Sequence, residues 1–463
     1  MRKDLRSHLN VLGNSLLTVD SEVDLAYVSA LINLAKSPVL FRSIRGYPGW
    51  SICDLFFFRR EHQATVLGVS KQEVLPWLAA KLASAPQPAS RVPSGPVKEI
   101  VIKGGPVDMT ALPGFQHGHR DPGRTLMMMA ICRDPLTGRC NMSWTRVTPL
   151  ERQRATFFIG SAPDMRAIWG RYEEKSEPMP LAFVMGTHPA YEIMGSYSVP
   201  NHLERFGELD MVPALLGEPV EVVPCETIPL EVPAHAEVVI EGLVIPGERV
   251  DEGPGPSQAL YYPEVTRQPV FKATAITMRE RPILRQVNTL IYTDHQSLIA
   301  LPHEAILYER IREMGVKVHD VQFIPWGGTL TCVVKVTPEF DGQVKDVLLF
   351  VLGSRWPNAK LAIAVDDDID IESPEDLHWC LATRVDPARD VTIIDDSRGH
   401  PIDPVARPVE GAPRARVVGK WAIDATKPAL NRPAERARFE RAVPEHWGEA
   451  GLSKTLENAR ARA

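Results

Sequence analysis

Two short stretches carry residues whose types and spacing could do chemistry. Asn141-Met-Ser-Trp-Thr-Arg146 places a neutral oxygen ligand and a guanidinium five residues apart on one segment. A planar guanidinium matches a carboxylate with two parallel hydrogen bonds, where a lysine would act only as a point charge, so Arg146 is a candidate clamp for a carboxylic acid. Asp251-Glu-Gly-Pro-Gly-Pro256 is a rigid turn that could aim the Glu252 carboxylate at such an arginine and keep it oriented. Each stretch also has a plainer reading. The first could be a hairpin with a surface or ion-paired arginine, the second a Gly/Pro surface turn.

These residues need elements to hold them. Thr125 to Cys132 is apolar and Met-rich, Asp134-Pro-Leu-Thr-Gly138 has turn chemistry, and a second run starts at Cys140, so Asn141 to Arg146 should open the return strand of a hairpin. A regular pleat would turn Asn141 and Arg146 to opposite faces. Further strands are expected at Glu99–Lys103, Leu181–Gly186, Val220–Pro224, Ala236–Glu241 and Val270–Thr277, interrupted by helical or irregular segments at Glu151–Tyr172 and Met211–Gly217. Many strands with few helices predict a closed or split β-barrel. Ahead of it, Leu5, Leu9 and Leu12 and then Leu25, Val28, Leu31 and Ile32 recur at helical spacing, and the Pro-rich stretch Ser84 to Pro96 reads as a linker. Beyond it, Pro302 to Met314 reads as a helix closed by Gly315, followed by mixed strands and a helix begun by Ser373-Pro-Glu-Asp376.

The expected class is α/β (α+β). Residues 1–97 form an N-terminal α/β segment packed on the barrel, 98–300 the split β-barrel, 301–316 a connecting helix, 317–427 a C-terminal α/β domain and 428–463 a tail. With 463 residues, 44% hydrophobic and 24% charged, the chain is long enough to bury two or more cores, and two or three domains are expected. Its net charge of -6 with no sustained Lys/Arg block argues against a nucleic-acid partner. No apolar run approaches the roughly 20 residues of a membrane helix, and the opening Met-Arg-Lys-Asp-Leu lacks a signal peptide's apolar core, so a cytoplasmic protein is expected. The six cysteines form no Cys-x-x-Cys pair and read as reduced core residues. The acidic run Asp366 to Asp370 reads as structural or as a subunit contact rather than a metal site, and His117 and His119 read as loop histidines.

The segment around Arg146 resembles the Asn-x-Ser-x-x-Arg signature of the UbiD family of decarboxylases, which use prenylated flavin mononucleotide (prenylated FMN). Other landmarks follow in the same order: Gly207-Glu208, Asp251-Glu-Gly-Pro254, Val365 to Asp370 with Ala382 to Pro387, and Gly419-Lys420 ahead of Asp424-Ala-Thr426, so the resemblance spans residues 1 to 427. It implies that the barrel holds the flavin and that the C-terminal domain assembles a homodimer or homohexamer. The cofactor would come from a flavin prenyltransferase. By the same resemblance Arg146 grips the substrate carboxylate and Glu252 orients it. Asn141, Ser143, Trp144, Thr145, Arg146, Pro163, Asp164 and Lys420 would contact the cofactor. Asn141, Asp164 and Glu208 would hold a divalent metal beside its phosphate, with K+ as a further candidate ion.

Two positions depart from the family pattern. Ser257 stands where a second glutamate usually serves as proton donor, and a hydroxyl is too weak an acid for that task unaided. Asp251, His295 or a water relayed by Ser257 are the replacement candidates. Asp164 stands where a histidine ligand is usual, which makes the set all oxygen and suits magnesium or manganese, though an aspartate here could equally be a helix N-cap. The expected reaction is reversible decarboxylation of an aromatic, heteroaromatic or α,β-unsaturated acid. Decarboxylation of an aryl-coenzyme A thioester acid and a non-catalytic flavin-binding paralogue are the alternatives. Met127, Leu260, Tyr261, Ile291 and Leu298 are guessed to line the pocket.

Overall fold

The structure, a computed structural model, describes residues 3–160, 163–200, 203, 205–290, 294–356 and 359–443. Ile291 and most of the expected tail, 444–463, lie outside these residues.

Six antiparallel strands form the centre: β1 (Leu126–Arg133), β2 (Cys140–Glu151), β3 (Arg154–Phe157), β4 (Met179–Met185), β5 (Val238–Glu252) and β6 (Thr266–Met278). Their order β5-β4-β1-β2-β3-β6 closes on itself because β5 also pairs with β6, so the sheet is a barrel. Asp134 makes the predicted hairpin turn between β1 and β2. Its carboxylate accepts from Leu136 N at 3.0 Å and Thr137 Oγ1 at 2.9 Å, while Gly138 supplies a φ of +73°.

The Met-rich run of β1 reads as continuous rather than alternating because both its faces are buried. Leu126, Met128, Ala130 and Cys132 join a core with Phe157, Phe183 and Phe271, and Met127, Met129 and Ile131 pack in a second core with helices outside the barrel. Register confirms the pleat: Asn141 is opposite Cys132 and Arg146 opposite Met127, so the two candidate residues do face opposite sides.

Around the barrel, the strands Leu17–Val19, Val39–Phe41, Ser51–Asp54 and Ile283–Arg285 form a separate four-stranded sheet that ties the start of the chain to the segment after β6. The stretch read as a linker is fastened down. Ser90–Arg91 pairs in parallel with Glu221–Pro224, and Gln87 N donates to Asp210 O at 2.8 Å.

The connecting helix runs Asp294–Glu313 and starts eight residues before the Pro302 that signalled its beginning. Pro302 lies inside it, where a proline costs one backbone bond but does not end the helix. Beyond it, Thr331–Thr337, Leu361–Val365 and Ala412–Ala425 run parallel in a second sheet, flanked by antiparallel Lys317–Phe323 and Val391–Arg398. In the acidic run, Asp366 is held by Arg436 and Lys427 N, and Asp368 by Arg384 at 2.7 Å and Lys427 Nζ at 3.0 Å. These charges are already paired by cations.

One buried cation joins these parts. The fully buried Arg285 contacts Asp54 at 2.6 Å, Glu192 at 2.9 Å and Asp294 at 2.7 Å, and Asp294 also accepts Phe57 N at 2.7 Å. Burial, opposed by Arg285, pushes Asp54 and Glu192 each up to about 7. Replacing Arg285 by leucine leaves three carboxyls without their cation and should cost about 3–5 kcal/mol at pH 8. Urea unfolding should find a smaller loss at pH 5, because the orphaned carboxyls then take up protons.

Candidate active site

The site begins at an unfinished strand edge. β2 pairs with β1 from Cys140 to Val147, but on its other edge β3 meets it only from Val147 to Glu151. Residues 141–145 therefore have no second strand beside them among the described residues. Glu208 N-terminally begins the helix Glu208–Leu216 at this edge, and its carboxylate accepts from Met142 N at 2.9 Å and Asn141 Nδ2 at 3.2 Å. Arg146 O accepts from Phe158 N at 3.0 Å further along. In a pleated strand, alternate peptides share an edge, so the Trp144 peptide between them points the same way. Gly207 allows the helix to start so close, since a Cβ there would overlap the Cys140 carbonyl.

At one end of this edge sits an acid-rich group. Glu208 is fully buried and pushed up to about 7 by that burial, with Asp164 adding repulsion. Asp164 lies in the first turn of the helix Pro163–Glu174. The donor set of two carboxylates and one amide suits a hard divalent cation. To join it, the Asn141 amide must turn its oxygen, now 4.0 Å from Cys132 Sγ, toward Glu208.

At the other end, Arg146 Nε and Nη2 each lie 2.7 Å from one Glu252 oxygen. Nη1 has no acceptor among the described residues. Gly255 flanks it, where a Cβ would overlap the guanidinium, and the Phe158 ring lies 5.8 Å away. Burial raises the Glu252 carboxyl and Arg146 opposes the rise. A cavity of about 250 Å³ lined by Met109, Leu112, Arg124, Leu126 and Pro149 lies on the opposite face of the hairpin and does not reach Arg146.

Of the other expected residues, Ser257 has a buried Oγ without a hydrogen-bond partner. Asp251 is exposed, and Tyr261, guessed to line the pocket, is 60% exposed. The buried His295 Nδ1 also lacks a partner, and burial with Arg146 nearby pushes the ring down to about 4. Lys420 is not brought to the group. It is buried in the second sheet, donates to Leu352 O at 2.7 Å and is pushed down to about 8 by burial and Arg398.

Two residues at the site had no sequence signal. His117, read as a loop histidine, is buried with Nδ1 accepting from Thr289 N at 3.1 Å, and burial plus Arg146 and His295 push it down to about 3. Asp121 is buried; burial raises its carboxyl, Arg146 opposes the rise, and its charge in turn raises Glu252. The turn residues between Gln116 and Gly123 could have marked a loop there, but nothing local marks its destination.

The barrel thus carries a strand edge without a second strand among the described residues, with Asn141 and Glu208 at one end and the Arg146–Glu252 pair at the other. Comparison identifies the class. The model of the 3-octaprenyl-4-hydroxybenzoate carboxy-lyase Rift-related domain matches residues 90–290, and that of the corresponding C-terminal domain matches residues 296–425. The chain belongs to the UbiD family and is a UbiD-class carboxy-lyase.

It is 28% identical over 418 residues to the anhydromevalonate phosphate decarboxylase of Methanosarcina mazei, covering 90% of this chain and 92% of that one. The UbiD-class enzyme HmfF from Pelotomaculum thermopropionicum, in complex with FMN, superposes with a TM-score of 0.86 at 31% identity over 97% of this chain and 98% of its own. An evolved dimeric form of HmfF with prFMN gives 0.84 at 29% identity, covering 98% and 99%. The apo 3,4-dihydroxybenzoic acid decarboxylase of Klebsiella pneumoniae gives 0.86 at 25% identity, covering 96% and 97%.

Gly255→Ala should push the Arg146 guanidinium off Glu252 while leaving the barrel intact. Carbon dioxide release should fall at least about 100-fold with an unchanged circular dichroism spectrum.

Proposed function

We propose that this chain decarboxylates, reversibly, an aromatic, heteroaromatic or α,β-unsaturated carboxylic acid with prenylated FMN. The observation that carries this reading is the half-satisfied Arg146: Glu252 fixes two of its nitrogens and leaves Nη1 for the acid. The prFMN complex of HmfF and the aromatic acid of the Klebsiella relative support the cofactor and the substrate class.

Bound prenylated FMN supplies the electron sink that no side chain offers when carbon dioxide leaves an sp² carbon. Arg146 binds the carboxylate in the plane of its guanidinium. Glu252 orients the arginine, and its burial keeps water from competing for the pair. Trp144 offers its peptide at the open strand edge to the cofactor, with Ser143 and Thr145 on either side of it. Asn141, Asp164 and Glu208 hold Mn2+ or Mg2+ beside its phosphate, with K+ as a further ion, and Pro163 flanks that end. The raised carboxyl of Glu208 beside Asp164 supports a cation there, because a divalent charge would relieve their repulsion. Lys420 reaches the cofactor only by leaving the Leu352 carbonyl.

The chain acts as a homodimer or homohexamer, in keeping with the dimeric form of HmfF, and receives its cofactor from a flavin prenyltransferase. No helix among the described residues is long and apolar enough to cross a membrane, in keeping with a cytoplasmic enzyme.

The test is expression with a flavin prenyltransferase and a carbon dioxide release screen over a panel of aryl, heteroaryl and acrylic acids. At least one acid should turn over, and Arg146→Lys should lose about 100-fold or more, because a point charge cannot reproduce the planar hold. No release from any acid, with prenylated flavin spectroscopically present, would overturn the reading in favour of a flavin-binding protein without catalysis.

A further inference from the structure

We propose that Asp121 is the acid that returns a proton to the carbon losing carbon dioxide, the task for which position 257 offers only a hydroxyl. This rests on the decarboxylase reading above.

Asp121 lies in the loop between the bridged residues Phe115 and Thr125 that leads into β1. Its Oδ2 accepts two backbone donors, His117 N at 2.8 Å and Gly118 N at 3.2 Å. That oxygen alone closes the turn. The other, Oδ1, is buried and has no partner, although the residue is only 6% exposed. An ionised carboxylate leaves an uncompensated negative oxygen in such a place, whereas a protonated carboxyl puts a transferable hydrogen there.

The neighbours decide which of two carboxyls holds the proton. Glu252 and Asp121 both lie in the field of Arg146, but Glu252 takes two guanidinium nitrogens and Asp121 takes none. Arg146 opposes the rise of Glu252 by a hydrogen bond as well as by charge, and that of Asp121 by charge alone, so the proton is favoured on Asp121. Burial raises the Asp121 carboxyl, and the Gly118 and His117 amides and Arg146 only partly oppose this.

The rivals fit less well. Asp251 is exposed, and His295, lowered to about 4, is a neutral imidazole at pH 7 with little acidity. Gly118 keeps the turn close to the loop after β5, since a Cβ there would overlap the Tyr262 hydroxyl.

The step balances without an added oxidant or reductant. The bond from the substrate carbon to its carboxylate breaks, carbon dioxide leaves, and the electron pair of that bond, which bound prenylated FMN would delocalise, becomes the new C–H bond. The Oδ1–H bond of Asp121 then breaks, its proton forms the new C–H bond, and the carboxylate regains a proton from water before the next turnover.

Asp121→Asn and Asp121→Ser test this, because both keep an oxygen for the turn and neither has an acid. With the loaded enzyme and an acid that the wild type turns over, both should lose about 100-fold or more in carbon dioxide release. A second readout needs no cofactor: the melting temperature of the apo protein across pH, wild type minus Asp121→Asn.

A carboxyl whose folded pKa lies above its unfolded value binds its proton more tightly when folded. The wild type should therefore lose stability relative to the variant as pH rises from about 4 through the raised value. Arg146 from β2 and His119 of its own loop also act on the Asp121 carboxyl, the His117 amide donates to it, and it acts on Glu252 from β5. Taking the difference between the two proteins isolates its own titration.

Equal turnover by either variant, or a stability difference that stays flat or grows with pH, would overturn the proposal and leave the decarboxylase reading standing. If the wild type releases carbon dioxide from no acid, both fall together.

Discussion

The junction between barrel, N-terminal sheet and connecting helix depends on one guanidinium out of reach of water. Arg285 is enclosed by Asp54 from the first sheet, Glu192 from the short helix Pro189–Gly195 and Asp294 from the start of the connecting helix, with the Phe56 ring 4.4 Å from its centre. Burial raises the Asp54 and Glu192 carboxyls to about 7 against the pull of Arg285, and the neighbouring Asp294 carboxylate adds to the rise. The arrangement also fixes what lies above it. Gln286, next in sequence, reaches His117 at 2.8 Å, and His295 follows Asp294 directly, so the imidazoles beside Arg146 are set by the same cluster.

The candidate site is therefore built on an edge rather than in a closed pit. A strand lacking a neighbour usually invites another strand, but here β3 stops at the point where Phe158 turns back to hold Arg146 and Thr145. The helix beginning at Glu208 covers only the far end. Between these two supports the backbone offers regularly spaced donors and acceptors, a suitable surface for a long planar ligand, with cationic and carboxylate groups displayed at its ends.

Local features were readable from the sequence because they depend on neighbours in the chain. The β1–β2 hairpin followed from Asp134 and Gly138, the opposite facing of Asn141 and Arg146 from the pleat, and the helix begun after Ser373 from its cap and the proline that follows. Pairings across long separations were not readable in this way. Arg146 and Glu252 meet across 106 positions; the rigid turn made Glu252 a candidate partner, but its place beside Arg146 was implied by resemblance to a family. Pro302 misled because a proline usually signals a helix start, whereas packing holds the helix together through it. Asp121, His117 and Arg285 carried no periodic pattern at all; their importance comes from what folding brings around them.

Gly207 bears no functional group, yet it sets how near the covering helix can stand to the Cys140 carbonyl. A survey of substitutions along this chain should thus reveal an intolerant position with no chemistry of its own. Its constraint is spacing, and replacing it even with alanine would widen the gap that Glu208 has to bridge.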